Sequence, residues 1–213
     1  MNIALIGATG FVGSAVLTEL LQRGHRVTVL ARNPAKLTAR EGLTVVPADA
    51  QDAAQVAQAA AGHDAVVSAY NPGWSNPDIH DEFLKGTRAI IDGTKQAGVR
   101  RFLMVGGAGS LFVAPGVQLV DTPQFPAEWK QGALAAREAL NRIRLENSLD
   151  WTFLSPPILL QPGERTGKYR LGDEAPLMNG EQPGSISVAD LAVAIADELE
   201  TPRHVQKRFT VAN

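Results

Sequence analysis

Three glycines at regular spacing stand between a short apolar run and a helix-like stretch near the start of the chain. The apolar run is Asn2–Ile6, the glycines are Gly7, Gly10 and Gly13, and the helix-like stretch is Ser14–Gln22. Gly7 allows a tight turn, Gly10 has no Cβ to block the approach of a phosphate, and Gly13 lets the helix pack closely on the strand. Free N–H groups and the dipole at the helix start favour an anion. Because glycine also serves ordinary turns, the motif is informative only in this strand-to-helix context, and here it predicts a dinucleotide-binding crossover.

The composition is that of an ordinary globular protein, and it excludes several classes of function. The 213 residues suffice for one α/β domain, and the net charge of −2 gives no reason to expect nucleic acid or an anionic membrane as a partner. The chain has no cysteine, which rules out disulfides, thiol catalysis and cysteine-ligated metals. We expect a cytoplasmic protein without a signal peptide or a membrane span. The adjacent side chains of His63-Asp64 and His80-Asp81 diverge, so no metal site is expected.

Strand-like and helix-like segments alternate along the chain, which predicts a mostly parallel sheet covered by helices on both faces. The predicted strands are Asn2–Ile6, Arg26–Ala31, Leu43–Pro47, Ala65–Ser68, Arg101–Val105, Trp151–Leu154 and Arg208–Val211. The predicted helices lie near residues 12–23, 52–61, 79–97, 129–147 and 188–199, and Ser187 and Asp190 have capping-box spacing at the start of the last one. The fold class is therefore α/β, a Rossmann-like doubly wound sheet in a single domain of residues 1–213.

Two long stretches, Gly106–Pro126 and Ser155–Gly184, are rich in glycine and proline and show no regular pattern. Loops of that length in a compact domain usually carry function. Both begin at the carboxyl ends of strands, where ligands of such sheets bind. We expect residues 155–187 to form a small insertion or lid on the substrate side.

The residue that follows the second strand selects between the two nicotinamide dinucleotides. That residue is Arg32, followed by Asn33, with Lys36 nearby. A guanidinium matches a 2′-phosphate, whereas a carboxylate at this place would accept hydrogen bonds from a 2′-hydroxyl and repel the phosphate. The alternative is that Arg32 is a solvated surface charge. Its position relative to the glycine turn favours NADP(H) over NAD(H).

Several other residues at the carboxyl ends of the strands are expected to contact the cofactor. Asp49 is placed either to accept a hydrogen bond from the adenine amine or to cap the helix near 52–61, and these two interpretations are left open. Small residues at the end of the fourth strand let the sugars lie against the backbone, and Gly106 and Gly107 leave open space for the nicotinamide. The full set of expected contacts is Gly7, Thr9, Gly10, Phe11, Val12, Arg32, Asp49, Ala50, Ser68, Ala69, Tyr70, Gly106, Gly107, Pro156 and Pro157.

The chain resembles atypical members of the short-chain dehydrogenase/reductase superfamily over nearly its whole length. The resemblance rests on the glycine spacing, on Arg32, on the pair Asp49-Ala50 and on the segment Asp150–Pro157. Among these proteins it is most similar to small NAD(P)H-binding proteins of the NADH-flavin reductase type, to biliverdin-IXβ/flavin reductase and to NmrA-like regulators. The resemblance implies a Rossmann fold and a nicotinamide cofactor, with Pro156 and Pro157 beside the nicotinamide.

The proton relay of typical members is missing from this sequence. Those proteins carry a Tyr-x-x-x-Lys pair after the fifth strand, whereas Trp129 and Ala133 stand at the matching positions here. The only tyrosines are Tyr70 and Tyr169, and neither has a lysine four residues later. The serine that usually ends the fifth strand is also absent, and Ser110 is the nearest hydroxyl. The catalytic residue is therefore unknown.

Hydride transfer needs positioning and exclusion of water more than it needs a protein acid, because the cofactor carries the chemistry. A flavin or quinone delocalises the incoming charge and takes its proton from solvent. The sequence therefore favours an NADPH-dependent reductase of a small planar acceptor, with FMN or FAD as a substrate rather than a bound cofactor. Two alternatives remain, a non-catalytic NADP(H)-sensing regulator and a sugar-nucleotide epimerase or dehydratase. The second needs an acid–base residue for which the chain offers no candidate.

A few side chains are candidates for shaping the acceptor site, each with a simpler alternative. Tyr70 and Trp74 are suited to stack on a flat ligand or to pack their loop on the body. Lys130 is suited to attract an anion or to remain solvated, and Ser110 offers a hydroxyl. The loop Gly163–Tyr169 is a candidate to close over the ligand. Charges surround much of the helix near 129–147, so we expect a monomer.

Overall fold

A sheet of eight strands runs through the computed structural model, which describes residues 1–213. In chain order the strands are β1 (Asn2–Ile6), β2 (Arg26–Ala31), β3 (Leu43–Pro47), β4 (Ala65–Ser68), β5 (Arg101–Val105), β6 (Phe112–Ala114), β7 (Val117–Gln118), β8 (Asp150–Ser155), β9 (Leu159–Gln161), β10 (Arg170–Gly172), β11 (Met178–Asn179), β12 (Gln182–Pro183), β13 (Ser185–Ser187) and β14 (Lys207–Ala212). The main sheet has the order β10-β14-β8-β5-β4-β1-β2-β3, and only β10 is antiparallel to its neighbour. The remaining strands form the short pairs β11-β12, β13-β9 and β6-β7.

Five helices cover the two faces of this sheet. They are α1 (Phe11–Gln22), α2 (Ala53–Ala60), α3 (Ile79–Gln96), α4 (Ala127–Ile143) and α5 (Val188–Glu200). Helices α1 and α5 pack on one face, and α2, α3 and α4 pack on the other. The predicted Rossmann-like doubly wound fold is confirmed.

The central strands are nearly continuous apolar runs because they are buried on both faces. In β1, Ile3 and Leu5 enter the core under α1 and α5, whereas Ala4 and Ile6 enter the core under α2, α3 and α4. All four side chains are essentially inaccessible to solvent. Burial of this kind contributes about 25 cal/mol for each Å² of apolar surface removed from water, so the two cores are the main source of stability.

The prediction for the fourth helix needs correction at both ends. The helix begins at Ala127 and ends at Ile143, whereas the pattern predicted residues 129–147. The Glu146 carboxylate accepts a hydrogen bond from the backbone N–H of Ser148 at 2.7 Å, which favours a turn over further helix. The last residues of the predicted span therefore leave the helix.

The two long stretches without a clear pattern contain six of the fourteen strands, each only two or three residues long. Segments this short carry too few residues to show an alternation of apolar and polar side chains. The structure thus corrects the expectation that residues 106–126 and 155–184 are loops alone.

The strand order reverses between β1 and β4, which lie side by side although β2 and β3 follow β1 in the chain. The crevice at such a switch point, beyond the carboxyl ends of the strands, is where open α/β sheets bind ligands. The glycine turn after β1 opens into this crevice. None of the helices combines the length and the apolar character needed to cross a bilayer.

Candidate functional site

The turn between β1 and α1 is pressed so closely against its neighbours that two of its glycines cannot carry a side chain. Gly7 has φ +84°, and a Cβ built there would lie 2.3 Å from the carbonyl oxygen of Ala69 at the end of β4. A Cβ on Gly13 would lie 2.1 Å from the carbonyl oxygen of Gly7. The tight turn and the close packing expected of these two glycines are both present.

Helix α1 starts without a capping side chain, which leaves its first N–H groups available. Gly10 occupies the N-cap position and has no side chain with which to cap the helix. No acidic residue follows it in the first turn. A Cβ on Gly10 would meet only the carbonyl oxygen of Gly7, at 3.3 Å, so the space in front of it is open. Thr9 and Phe11 beside it are exposed, and Val12 is half-buried. Uncapped N–H groups, the helix dipole and open space together fit a diphosphate.

Arg32 lies at the end of β2, exposed, with no hydrogen bond or ion pair to another side chain. Asn33 behind it accepts a hydrogen bond from Ala35 N–H at 3.2 Å and so starts a single 3₁₀ turn, Pro34–Lys36. A cavity of about 630 Å³ lies between this segment and α1, and its charged lining includes Lys36 and Arg40. The lining also contains Glu19, which is paired with Arg165, so Lys36 and Arg40 are its unpaired charges.

The structure decides against one interpretation of Asp49. The cap of α2 is Asp52, whose carboxylate accepts hydrogen bonds from Ala54 N–H at 2.9 Å and Gln55 N–H at 3.1 Å. One oxygen of Asp49 accepts a hydrogen bond from Gln51 N–H at 3.0 Å, and the residue is exposed. Asp49 is therefore not the helix cap, and its contact with adenine stays a prediction. Ala50, next to it, packs at the margin of the core under α2, α3 and α4.

Tyr70 follows β4, and its half-buried side chain is held by its neighbours. Its ring lies against α3 at Gly86, where a Cβ would be 2.3 Å from the ring. Its hydroxyl accepts a hydrogen bond from Gln51 at 3.1 Å and donates one to the backbone oxygen of Glu82 at 3.3 Å. Burial raises the pKa of the Tyr70 hydroxyl. Ser68, at the end of β4, is buried beside it, and its hydroxyl accepts a hydrogen bond from Tyr70 N–H at 3.4 Å.

Trp74 lies on α4 at Gly132, where a Cβ would come within 2.6 Å of the indole ring. The residue nevertheless keeps 57% of its surface exposed. The contacts of Tyr70 and Trp74 favour the simpler of the two interpretations, that these side chains pack their loop on the body. Only Trp74 retains a large free surface.

The space beside Gly106 is filled, contrary to the expectation for this glycine. A Cβ on Gly106 would lie 1.9 Å from the ring of Phe153, and one on Gly107 would lie 3.6 Å from the Cβ of Ala136. Gly106 is thus required because the Phe153 ring of β8 packs directly against the backbone of β5. The expectation that Gly106 leaves open space for a nicotinamide is therefore wrong on the side of the backbone that Phe153 occupies.

Ser110 is not a surface hydroxyl, which corrects its place among the acceptor-site candidates. It is 2% exposed, and its oxygen accepts a hydrogen bond from the guanidinium of Arg208 at 3.1 Å. Ser155, the last residue of β8, accepts from the same guanidinium at 3.3 Å. Pro156 is half-buried and Pro157 is buried directly after it, at the carboxyl edge of the sheet. Both prolines follow β8 at this edge, and their contact with the nicotinamide stays a prediction.

The helix face that carries the proton relay in typical superfamily members is apolar here. Ala133 is buried against the turn after β5, and a Cβ on Gly109 would lie 2.9 Å from its side chain. Trp129, one helical turn earlier, is 50% exposed. Lys130 is exposed and makes no ion pair or hydrogen bond. No acid or base replaces the missing tyrosine and lysine on this helix face.

The loop Gly163–Tyr169 is tied to the helices α1 and α5. The Asp190 carboxylate accepts hydrogen bonds from the backbone N–H groups of Thr166 at 2.8 Å and Gly167 at 2.7 Å. Arg165 forms an ion pair with the buried Glu19 of α1 at 2.7 Å, and this hydrogen bond lowers the pKa of Glu19. These bonds hold the loop in place, and closure of residues 155–187 over a ligand stays a prediction.

Two residues near the site were missed by sequence analysis, Gln51 and Arg208. Gln51 contacts both Tyr70 and the Glu82 carboxylate, and nothing in its local sequence distinguishes it from a solvated glutamine. Arg208 had a detectable signal, because it is a charged residue at the start of the predicted strand Arg208–Val211, which contains no other charged residue.

The geometry agrees with comparisons to known proteins. The profile of a family described as NAD(P)H-binding matches residues 7–202. The chain is 39% identical over 216 residues to the uncharacterised protein YwnB of Bacillus subtilis (strain 168), covering 100% of this chain and 99% of that protein.

Solved structures extend the similarity. A protein from Bacteroides thetaiotaomicron, provisionally described as an epimerase, superimposes with a TM-score of 0.92 at 47% identity, covering 99% of this chain and 96% of that chain. A protein from Streptococcus pneumoniae TIGR4, provisionally described as an NADH-flavin reductase, superimposes with a TM-score of 0.86 at 35% identity, covering 100% and 99% of the two chains. With its cradled glycine turn and uncapped first helix, the chain belongs to the NAD(P)H-binding family of Rossmann-like proteins, within the atypical short-chain dehydrogenase/reductase superfamily.

Proposed function

We propose that the protein is an NADPH-dependent reductase that transfers hydride to a flavin, a quinone or a similar planar acceptor. The observation that carries the proposal is the uncapped, glycine-lined start of α1 with an unpaired cation, Arg32, at the end of the neighbouring β2. The first feature suits a diphosphate, and the second suits an additional phosphate on the adenosine. When bound, NADPH would supply the hydride, and the chain would position both reactants.

The residues around the crevice favour an acceptor that needs no protein acid. The hydroxyl of Tyr70 is engaged by Gln51 and Glu82, and the α4 positions of the usual relay hold Trp129 and Ala133. Flavins and quinones spread the incoming negative charge over a conjugated system, so solvent suffices as their proton source. The flavin reductase described among the structural neighbours is consistent with this acceptor class, with FMN or FAD acting as a substrate.

The main rival is a protein that binds NADP(H) and signals its redox state to a partner without turnover. The lack of a proton donor at the relay positions of α4 favours that rival as much as it favours a flavin-like acceptor. An epimerase, as described for another structural neighbour, is disfavoured because its acid–base step has no residue to carry it.

One assay separates the reductase from the sensor. NADPH absorbance is followed with the purified protein and FMN, FAD or a set of quinones as acceptors. We expect NADPH consumption that depends on protein and acceptor together. Tight NADPH binding without consumption by any acceptor would instead favour the sensor.

Substitution Arg32→Glu tests the cofactor preference. Replacing a charge-assisted contact to the 2′-phosphate by repulsion should weaken NADPH by about 10- to 100-fold more than NADH. Arg26→Glu, which makes the same charge change at the opposite end of β2, serves as the control and should leave the ratio of the two affinities unchanged. Equal loss of NADPH and NADH affinity in Arg32→Glu, measured by calorimetry, would contradict the assignment of Arg32.

A further inference from the structure

Arg208 of β14 is a buried cation that the proposed function does not use. Its side chain is 0% exposed, although β14 otherwise contributes apolar or small side chains to the interior. One guanidinium nitrogen donates to the hydroxyls of Ser110 at 3.1 Å and Ser155 at 3.3 Å. The second terminal nitrogen donates to the carboxylate of Glu174, and the remaining nitrogen, Nε, has no partner. Burying a charge is costly, so a buried arginine with three separate partners calls for an explanation.

The three partners of Arg208 belong to segments that are distant in sequence. Ser110 lies in the segment after β5, Ser155 ends β8, and Glu174 follows β10. The backbone oxygen of Glu174 also accepts a hydrogen bond from Phe112 N–H at 2.8 Å, which joins the first segment to the third. Arg208 therefore connects both long glycine- and proline-rich stretches at one point.

These stretches contain the residues expected to flank the nicotinamide half of the dinucleotide. Gly106 and Gly107 come directly before the turn that carries Ser110, and Pro156 and Pro157 come directly after Ser155. Displacement of either serine would move the adjacent backbone. The adenosine half, by contrast, is expected at α1 and Arg32, which Arg208 does not contact.

We propose that Arg208 is a positioning residue that holds the segments after β5 and β8 in register for the nicotinamide half of the bound dinucleotide. This inference rests on the proposed function, because it assumes that a nicotinamide dinucleotide spans the carboxyl edge of the sheet. Arg208 acts through Ser110, Ser155 and Glu174, and it touches neither reactant.

The chain supplies a control in Arg101, an arginine at the opposite edge of the sheet whose side chain is only 11% exposed. Arg101 starts β5, pairs with Glu198 at 3.1 Å and donates to the hydroxyl of Thr152 at 2.7 Å. Its Nε also lacks a partner. Loss of either guanidinium should cost comparable stability, whereas only Arg208 is connected to the nicotinamide side.

The test compares Arg208→Lys with Arg101→Lys in calorimetric titrations with two ligands. NADPH contains the nicotinamide, and adenosine 2′,5′-bisphosphate lacks it. In Arg208→Lys we expect NADPH affinity to fall at least about fivefold more than adenosine 2′,5′-bisphosphate affinity, a difference of roughly 1 kcal/mol. In Arg101→Lys the ratio of the two affinities should equal that of the wild type. An unchanged ratio in Arg208→Lys, or the same change in both variants, overturns the proposal.

A milder variant covers the case in which Arg208→Lys fails to fold. The double substitution Ser110→Ala with Ser155→Ala removes two acceptors of Arg208 at nearly constant volume, and it should shift the affinity ratio in the same direction. A folded double variant with the wild-type ratio overturns the proposal. The measurement needs no turnover. If the wild type binds NADPH but reduces no acceptor, the proposed reductase activity is refuted, and the ratio of affinities still decides the role of Arg208. If the wild type does not bind NADPH, both the proposed reductase function and the proposed role of Arg208 are refuted.

Discussion

Two glycines of the first turn are required for different physical reasons. The space around Gly13 is already filled by the backbone of Gly7, so a side chain at position 13 collides with the fold itself. The space around Gly10 is open apart from one oxygen at 3.3 Å, and its φ of −87° is accessible to any residue. Gly13 is therefore required for folding, whereas Gly10 is required by the group that occupies the open space.

Substitution of each glycine by alanine separates these two requirements. Gly13→Ala should lose about 3 kcal/mol of unfolding free energy, because overpacking against backbone cannot be relieved by a side-chain rotation. Gly10→Ala should lose only about 1 kcal/mol, the cost of a poor N-cap, yet it should abolish measurable NADPH binding. Denaturant unfolding and calorimetry provide the two measurements. A Gly10→Ala variant that binds NADPH as tightly as the wild type would contradict the proposed position of the diphosphate.

Sequence could predict the part of the candidate site that depends on backbone conformation. The roles of Gly7 and Gly13 are visible in the sequence, because glycine is the residue that tolerates a positive φ and leaves the space of a Cβ free. Roles that depend on which side chain reaches a group from elsewhere in the chain were not predictable. Asp49 and Asp52 are equivalent as capping candidates by composition, and Ser110 gives no local sign that Arg208 will reach it across 98 positions of sequence.

The ends of the helices show where local pattern loses its predictive value. Ser187 caps α5 as predicted, and its hydroxyl accepts a hydrogen bond from Asp190 N–H at 3.0 Å. The reciprocal half of the capping box is absent, because the Asp190 carboxylate binds the loop at Thr166 and Gly167 instead. The central strands were predictable to within about one residue because burial on both faces gives uninterrupted apolar runs. Strands of two or three residues offered no such run.

Glu146 links the turn after α4 to α3 and should make stability depend on pH in acid. Burial alone would raise the pKa of Glu146, but hydrogen bonds from Lys95 and Ser148 lower it to about 2 from an ordinary value of 4.5. A carboxyl with a lowered folded-state pKa stabilises the fold fully above about pH 4.5, and that contribution is lost as the pH falls toward 2. Glu146→Gln should therefore be less stable at neutral pH and should lose less stability between pH 5 and pH 2.

Denaturant unfolding at several pH values measures this dependence. Glu138→Gln on α4 removes one carboxylate that pairs only with Arg142 on the exposed helix surface, and it serves as the control. Identical slopes of stability against pH for the wild type and Glu146→Gln would refute the assigned role of Glu146.

Charge on the outer surface of α4 bears on the state of association. Arg137 pairs with Asp121 at 2.8 Å, and Arg142 pairs with Glu138 within the helix. Docking a second copy on this face would require the desolvation of several charges that water and their partners now stabilise. We therefore expect a monomer, with a mass in solution near 22.6 kDa by light scattering. A mass twice as large over a range of protein concentrations would contradict this expectation.

The position of β14 between β8 and β10 has a consequence for biosynthesis. The glycine turn and α1 leave the ribosome early, whereas Arg208 is translated long after both serines that it binds. The segments after β5 and β8 therefore gain their common partner only when the final strand has been synthesised and docks beside β8.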